Sequence, residues 1–181
     1  MRLEKPRMAH YQQVMDADEA YRRAGEEAYC GLRGRIGYGA WLVSISRQAR
    51  REVVNEGMNP NEIWLLLDEK DCLCGFGQMR LYDTEDVLTW AGHIGYSVPP
   101  NQRGKGYATQ MLGLLLNMAF ERGREDALLT CDTDNEASRR VIEKCGGEFD
   151  GFYTVPPFHK RLYWFTKEKW VGTKASGGSL S

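Results

Sequence analysis

The stretch "YSVPPNQRGKGYATQMLGLLL", Tyr96 to Leu116, begins as an apolar extended segment, passes two prolines into a basic glycine turn, and leaves as a helix. Three ingredients of an anion cradle coincide in it. Gly104 and Gly106 let the main chain approach a ligand, and Arg103 and Lys105 add positive charge. The helix beginning near Tyr107 turns the positive end of its dipole to the same point. Two glycines that merely tighten a strand-to-helix connection would look the same, so the neighbours of the turn must decide. A dinucleotide loop needs a third glycine where Thr109 stands, and a nucleoside triphosphatase loop needs Ser or Thr after Lys105, where Gly106 stands.

The neighbours have a readable order. Apolar spacing after Pro6 predicts a helix over 7–24, and five glycines between Gly25 and Gly39 predict a flexible connection suited to a substrate loop. Helical period returns from Ala40 to Asn55. "EIWLLLD", "CLCGFGQMRLY" and "VLTWAGHIGYSV" read as three consecutive antiparallel strands. Met111, Leu112, Leu115, Leu116 and Ala119 give the next helix one buried face, which Gly123 closes. After the strand "DALLTCD", Thr133-x-x-Glu136 reads as a capping box opening a helix that lines Ala137, Val141 and Cys145 on one face. "EFDGFYTV" and "RLYWFTKE" finish as strands joined across "PPFHK".

Bulk properties limit what this order can serve. The 181 residues suit one domain, read as 1–170, with a flexible Gly/Ser-rich tail at 171–181. Apolar residues at 42% and charged residues at 27% have the balance of a soluble globular protein. A net charge of -1 and a pI near 6.3 argue against a nucleic-acid partner. Without a long apolar run or a signal-peptide centre, no membrane partner and a cytoplasmic location are expected. Five cysteines, Cys30, Cys72, Cys74, Cys131 and Cys145, lack a framework spacing, so reduced thiols and no metal are expected.

"GHIGYSVPPNQRGKGYATQML" followed by "LLTCDTDNEASRRVIEKCGG" resembles the GNAT superfamily of acetyl-coenzyme A-dependent N-acetyltransferases. Arg103, Gly104, Lys105, Gly106, Tyr107 and Ala108 match its motif [RQ]-x-x-G-x-[GA], and the Asn135-x-x-Ser138 helix resembles relatives that acetylate protein N-termini. The resemblance implies an α/β fold, with a mixed central β-sheet flanked by helices and a splay between the fourth and fifth strands. It implies acetyl-CoA as cosubstrate. Tyr96, Ser97 and Val98 would run beside the pantetheine arm, the amides of Arg103 to Ala108, with Thr109 behind them, would hold the pyrophosphate, and Asn135 and Ser138 would border the cofactor. Arg140 and Lys144 read as a solvated helix face within reach of adenosine phosphates.

Acetyl transfer to an amine needs a neutral nucleophile, a fixed carbonyl and a leaving thiolate. Many members of the superfamily carry a tyrosine acid seven residues after the Asn135 position, where this chain has Ile142. Ser138 is the candidate donor to the thiolate, and His93 the candidate base, with Tyr96 as alternative and Tyr153 behind it. Asp83, Glu85 and Asp86 read as a solvated turn. Trp64, Trp90 and Trp164 read as core first and as acceptor walls second. The segment Gly25 to Gly39 and the connection Thr154 to Lys160 are expected to meet the acceptor, with Glu26, Glu27, Tyr29 and Phe158 as candidates for recognising it; the acceptor is a small-molecule amine or a protein N-terminus, and a homodimer is left open. A non-catalytic acyl-CoA sensing module is the alternative function.

Overall fold

The computed structural model describes residues 1–27, 37–50 and 59–170. Much of the glycine-rich connection after Gly25, the end of the helix expected to reach Asn55, Cys30, Tyr29 and the 171–181 tail lie outside the described residues. A single helical turn at Met8–His10 leads into α1 (Tyr11–Arg23), and α2 spans Tyr38–Gln48. The first four strands are β1 (Arg2–Glu4), β2 (Asn61–Leu67), β3 (Leu73–Arg80) and β4 (Ile94–Ser97). Then come α3 (Tyr107–Glu121), β5 (Asp126–Asp132), α4 (Glu136–Lys144), β6 (Glu148–Tyr153) and β7 (Lys160–Thr166).

β2 explains why the fold is layered. Ile63, Leu65 and Leu67 pack with Val14, Tyr21, Trp41 and Ile45 of α1 and α2, whereas Leu66 and Trp64 pack with α3. An unbroken apolar run is therefore a strand covered on both faces, each buried Leu contributing about 1.5–3 kcal/mol. α3 buries the expected Met111, Leu112, Leu115, Leu116 and Ala119. It lies so close to β3 that a Cβ on Gly77 would stand 2.7 Å from Met111 Cε.

Strands pair antiparallel in the orders β1-β2-β3-β4 and β5-β7-β6. The two sheets touch where β4 begins: His93 N–H donates to Leu128 O at 2.7 Å. Beyond that point Gly95 and Tyr96 face Thr130 to Asp132 across a cavity, and no ladder joins β4 to β5 among the described residues. The strands advance in the same sense, so the layer is mixed, and they splay as expected.

Three local expectations need correction. "VLTWAGHIGYSV" is not one strand. Val87–Ala91 form a π-helical turn with Val87 fully buried, and Gly92 at φ 69° separates it from a four-residue strand. Asn135, not Thr133, caps α4, its Oδ1 accepting from Ser138 N–H at 2.9 Å. On α4 the buried side chains are Ile142 and, at its end, Cys145, while Ala137 and Val141 border a cavity. The N-terminal strand β1 carries no alternation long enough to be read in advance. No helix among the described residues is long and apolar enough to cross a membrane.

Candidate active site

A cavity of about 540 Å³ runs from the N-terminus of α3 into the splay. Gly104 and Gly106 adopt left-handed backbone at φ 78° and 77°, and a Cβ on either would meet nothing within 4 Å. The glycines thus keep space open rather than fit a tight protein contact. Gly106 caps α3 without a side-chain hydrogen bond, and the first turn of the helix borders the cavity. Gly104, Gly106, Tyr107, Ala108 and Thr109 line it, as do Tyr96 and Ser97 of β4 and Val98 just after it, and Asn135 and Ser138.

The two basic side chains of the turn behave differently from expectation. Lys105 does not line the cavity; its ammonium donates to Gln102 Oε1 at 2.8 Å. Arg103 lines it, but its guanidinium forks onto both oxygens of Glu26, at 2.8 and 2.5 Å, while Nε donates to Val98 O at 3.1 Å. The Arg103 hydrogen bond holds the Glu26 carboxyl below its ordinary range. Glu26 was expected beside the acceptor. It stands instead in the cavity of the glycine turn, because α1 ends opposite that turn.

A second cavity, about 240 Å³, opens on the other side of Tyr96, Asn135 and Ser138, which border both. Tyr96 Oη lies 3.0 Å from Ser138 Oγ and 3.3 Å from the Ser138 carbonyl oxygen. Burial pushes the Tyr96 phenol well above its ordinary pKa, so it remains a neutral donor. Trp90 walls the second cavity, its ring stacked on Phe158 at 4.0 Å and 7° and its Nε1 donating to Asp86 Oδ1 at 3.0 Å. Arg80, Asp132 and Lys160 complete its charged lining. Lys160 ends the connection Thr154 to Lys160 that was expected to meet the acceptor, whereas Arg80 and Asp132 were not foreseen: Asp132 and Lys160 become neighbours only through the register of β5 and β7.

His93 does not reach either cavity. It is fully buried, Leu128 N–H donates to Nδ1 at 2.8 Å, and Nε2 lies 2.8 Å from Asp83 Oδ1. The amide fixes Nδ1 as acceptor, so the proton sits on Nε2 and is donated to Asp83. Arg124 reaches the same carboxylate oxygen at 2.8 Å. Burial lowers the His93 pKa against the pull of Asp83. The ring is a clip joining the start of β4 to β5, which corrects its expected place at the thioester; Asp83, exposed in the turn after β3 as expected, is also its anchor.

Ile142 is fully buried under β7 and cannot offer a proton. Tyr153 borders neither cavity. Trp64 lies beneath Lys5, whose ammonium is 3.9 Å from its ring centroid, and Trp164 donates to Asp150 at 3.1 Å; neither walls the splay. Arg140 and Glu27 are exposed. Cys72, Cys74, Cys131 and Cys145 are free thiols, and the described residues hold no group of three or more potential metal ligands.

The sequence profile of the acetyltransferase (GNAT) domain family matches residues 3–148. The chain belongs to the GNAT acetyltransferase family. A GNAT relative, the uncharacterized N-acetyltransferase YnaD of Bacillus subtilis, is 31% identical over 100 residues, which are 55% of this chain; the match spans just over half, 56%, of YnaD. Solved GNAT structures share the fold. RimJ of Mycobacterium smegmatis, in complex with CoA-disulfide, superposes with a TM-score of 0.69 at 20% identity, covering 97% of this chain and 88% of its own. Ribosomal-protein-S5-alanine acetyltransferase of Vibrio fischeri gives 0.69 at 13%, covering 93% of each chain. Spermidine N-acetyltransferase of Vibrio cholerae, in complex with CoA and spermine, gives 0.64 at 13%, covering 94% and 97%.

Proposed function

We propose that this GNAT-family acyltransferase moves an acetyl group from acetyl-CoA to a primary amine, within one domain spanning 1–170. The carrying observation is that two cavities of unequal size meet at Tyr96, Asn135 and Ser138 in the splay between β4 and β5. The larger suits a long cosubstrate whose pyrophosphate rests on the amides around Gly104 and Gly106 and whose pantetheine arm runs beside Tyr96 to Val98. The smaller suits an acceptor whose amine meets the thioester at the partition. Acetyl-CoA, when bound, would supply the activated acyl carbon in its thioester; the protein residues hold, orient and move protons.

The direction of transfer follows from the hydroxyl pair. Attack of a neutral amine on the thioester carbonyl forms the C–N bond and breaks the C–S bond, leaving a thiolate on the coenzyme side of the partition while the nitrogen gives up one proton to solvent. Ser138 there, with Tyr96 behind it, supplies a proton or a hydrogen bond to the sulfur. A thiol pKa near ~8.5 makes that help modest. The sensing alternative draws on Ile142, buried where many relatives carry a tyrosine acid. The Tyr96–Ser138 pair, one hydroxyl on β4 and the other one turn earlier on α4 than Ile142, meets the same need, which favours turnover.

The test is thiol release from acetyl-CoA across a broad amine panel, together with calorimetry on two glycine variants. Gly106→Ala projects a methyl into the open cradle and is expected to weaken coenzyme binding about tenfold or more, roughly 1.4 kcal/mol. Gly123→Ala carries comparable strain at φ 93° at the other end of α3, also without a Cβ neighbour within 4 Å, and serves as control. Equal affinity in both folded variants would remove the pyrophosphate from this turn. Tight coenzyme binding without thiol release for any amine would instead support the sensor.

A further inference from the structure

Strand β4 is supported unevenly. On one side it pairs with β3, Gly77 opposite Tyr96 and Phe76 opposite Ser97. On the other, no ladder joins it to β5 among the described residues, so the peptide groups proposed to border the coenzyme arm lack a strand neighbour there. Side chains supply a different hold. Successive residues point to opposite faces of a strand, and Tyr96 and Ser97 end on different helices. Tyr96 Oη lies 3.0 Å from Ser138 Oγ of α4, and Ser97 Oγ lies 2.6 Å from Tyr21 Oη of α1. The two holds differ in kind. The Tyr96 ring packs against the α3 side of the core and stays anchored without its hydroxyl, whereas the Ser97 side chain holds on through its hydroxyl alone.

Tyr21 is itself firmly placed. It is 1% exposed, and its ring centroid lies 6.4 Å from that of Phe76, the cross-strand partner of Ser97, so strand register carries the serine to the phenol. Its carbonyl oxygen accepts from Glu26 N–H at 2.9 Å, and Glu26 is the carboxylate on Arg103. We infer that Tyr21 is a positioning residue for the coenzyme: through Ser97 it fixes the splayed end of β4 where its peptide groups meet the coenzyme arm. The inference rests on the coenzyme site proposed above. Tyr21 lines neither cavity, and it acts through Ser97, which lines the larger one. With the hydroxyl bond in place the strand end is ordered before the coenzyme arrives. Without it, binding must order the strand as well as the ligand, and affinity falls.

The experiment compares Tyr21→Phe with Tyr38→Phe. Tyr38 is a buried phenol of the same apolar cluster, it donates to Arg7 O at 2.8 Å, and it lines neither cavity. Urea midpoints are expected to fall by similar amounts, since each variant loses one buried hydroxyl bond. Calorimetry with coenzyme A is expected to separate them, with binding about fivefold weaker in Tyr21→Phe and changed about twofold at most in Tyr38→Phe. Ser97→Ala should match Tyr21→Phe, and the double variant should lose no more than either, because both substitutions break one bond. Unchanged affinity in folded Tyr21→Phe would overturn the inference. Equal weakening in Tyr38→Phe would also overturn it, by assigning the loss to general loosening of the core. Native protein that binds no coenzyme A would overturn the coenzyme site itself, and the inference with it.

Discussion

The phenolic oxygen of Tyr96 lies 3.0 Å from Ser138 Oγ, a contact between strand β4 and helix α4 across 42 positions of chain. It is the contact that the thiolate would meet. Ser138→Ala and Tyr96→Phe are each expected to lower kcat about tenfold, or about 1.4 kcal/mol, with coenzyme affinity nearly unchanged. The double variant should lose less than the sum, because the two hydroxyls serve one hydrogen-bonded chain. Single-turnover rates and calorimetry measure both quantities, and additive losses would separate the two hydroxyls functionally.

Glu26 occupies the guanidinium that would otherwise greet a phosphate. The Arg103–Glu26 pair is half exposed, with side chains 48% and 40% accessible, so it is worth at most the low end of ~0–1 kcal/mol. Coenzyme phosphate can replace it at small cost. Glu26→Gln should therefore tighten coenzyme binding by about two- to fivefold and steepen its salt dependence. Titrations at two ionic strengths check this. Unchanged affinity would mean that Arg103 stays clear of the phosphates.

The His93 clip sets a pH dependence of stability with a definite sign. The folded pKa is depressed by burial, so the fold binds fewer protons at this group than the unfolded chain. Its contribution is present above the ordinary histidine pKa near ~6.5 and is lost as pH falls below it. Burial works against the Asp83 carboxylate, yet hydrogen bonds from His93 and Arg124 outweigh it and hold its pKa below the usual range, so it stays charged in this window. Urea midpoints between pH 7.5 and 5.5 should fall in the native protein and fall less in His93→Gln. An equal fall in both would assign the dependence elsewhere.

The legible parts of the sequence were those set by short-range physics. Period and punctuation marked α3 because its buried face recurs every three to four residues and ends at Gly123. Left-handed backbone at Gly104 and Gly106 followed from glycine between a strand and a helix. The resemblance carried this turn to a coenzyme, and the cavity then gathered its predicted neighbours apart from Lys105. The run from Val87 to Val98 misled because a buried π-helical turn and a strand share the same apolar composition, and only Gly92 separates them.

Chemistry at single residues was decided otherwise. His93 has the composition of a base, but its function depends on which groups meet its two nitrogens, and Leu128 and Asp83 come from other segments. Glu26 changed sides of the site because the exit of α1 is aimed by packing on β2 and β3. Asp132 and Lys160 are 28 residues apart and carry no local signal; strand register alone sets them opposite each other at the second cavity. By itself the sequence determined most of the elements, the buried face of α3 and the glycine cradle, since each depends on residues within a few positions. Tertiary structure decided proton positions, charge pairing and the division into two cavities, because those energies depend on distance and burial among groups that the chain brings together only when folded.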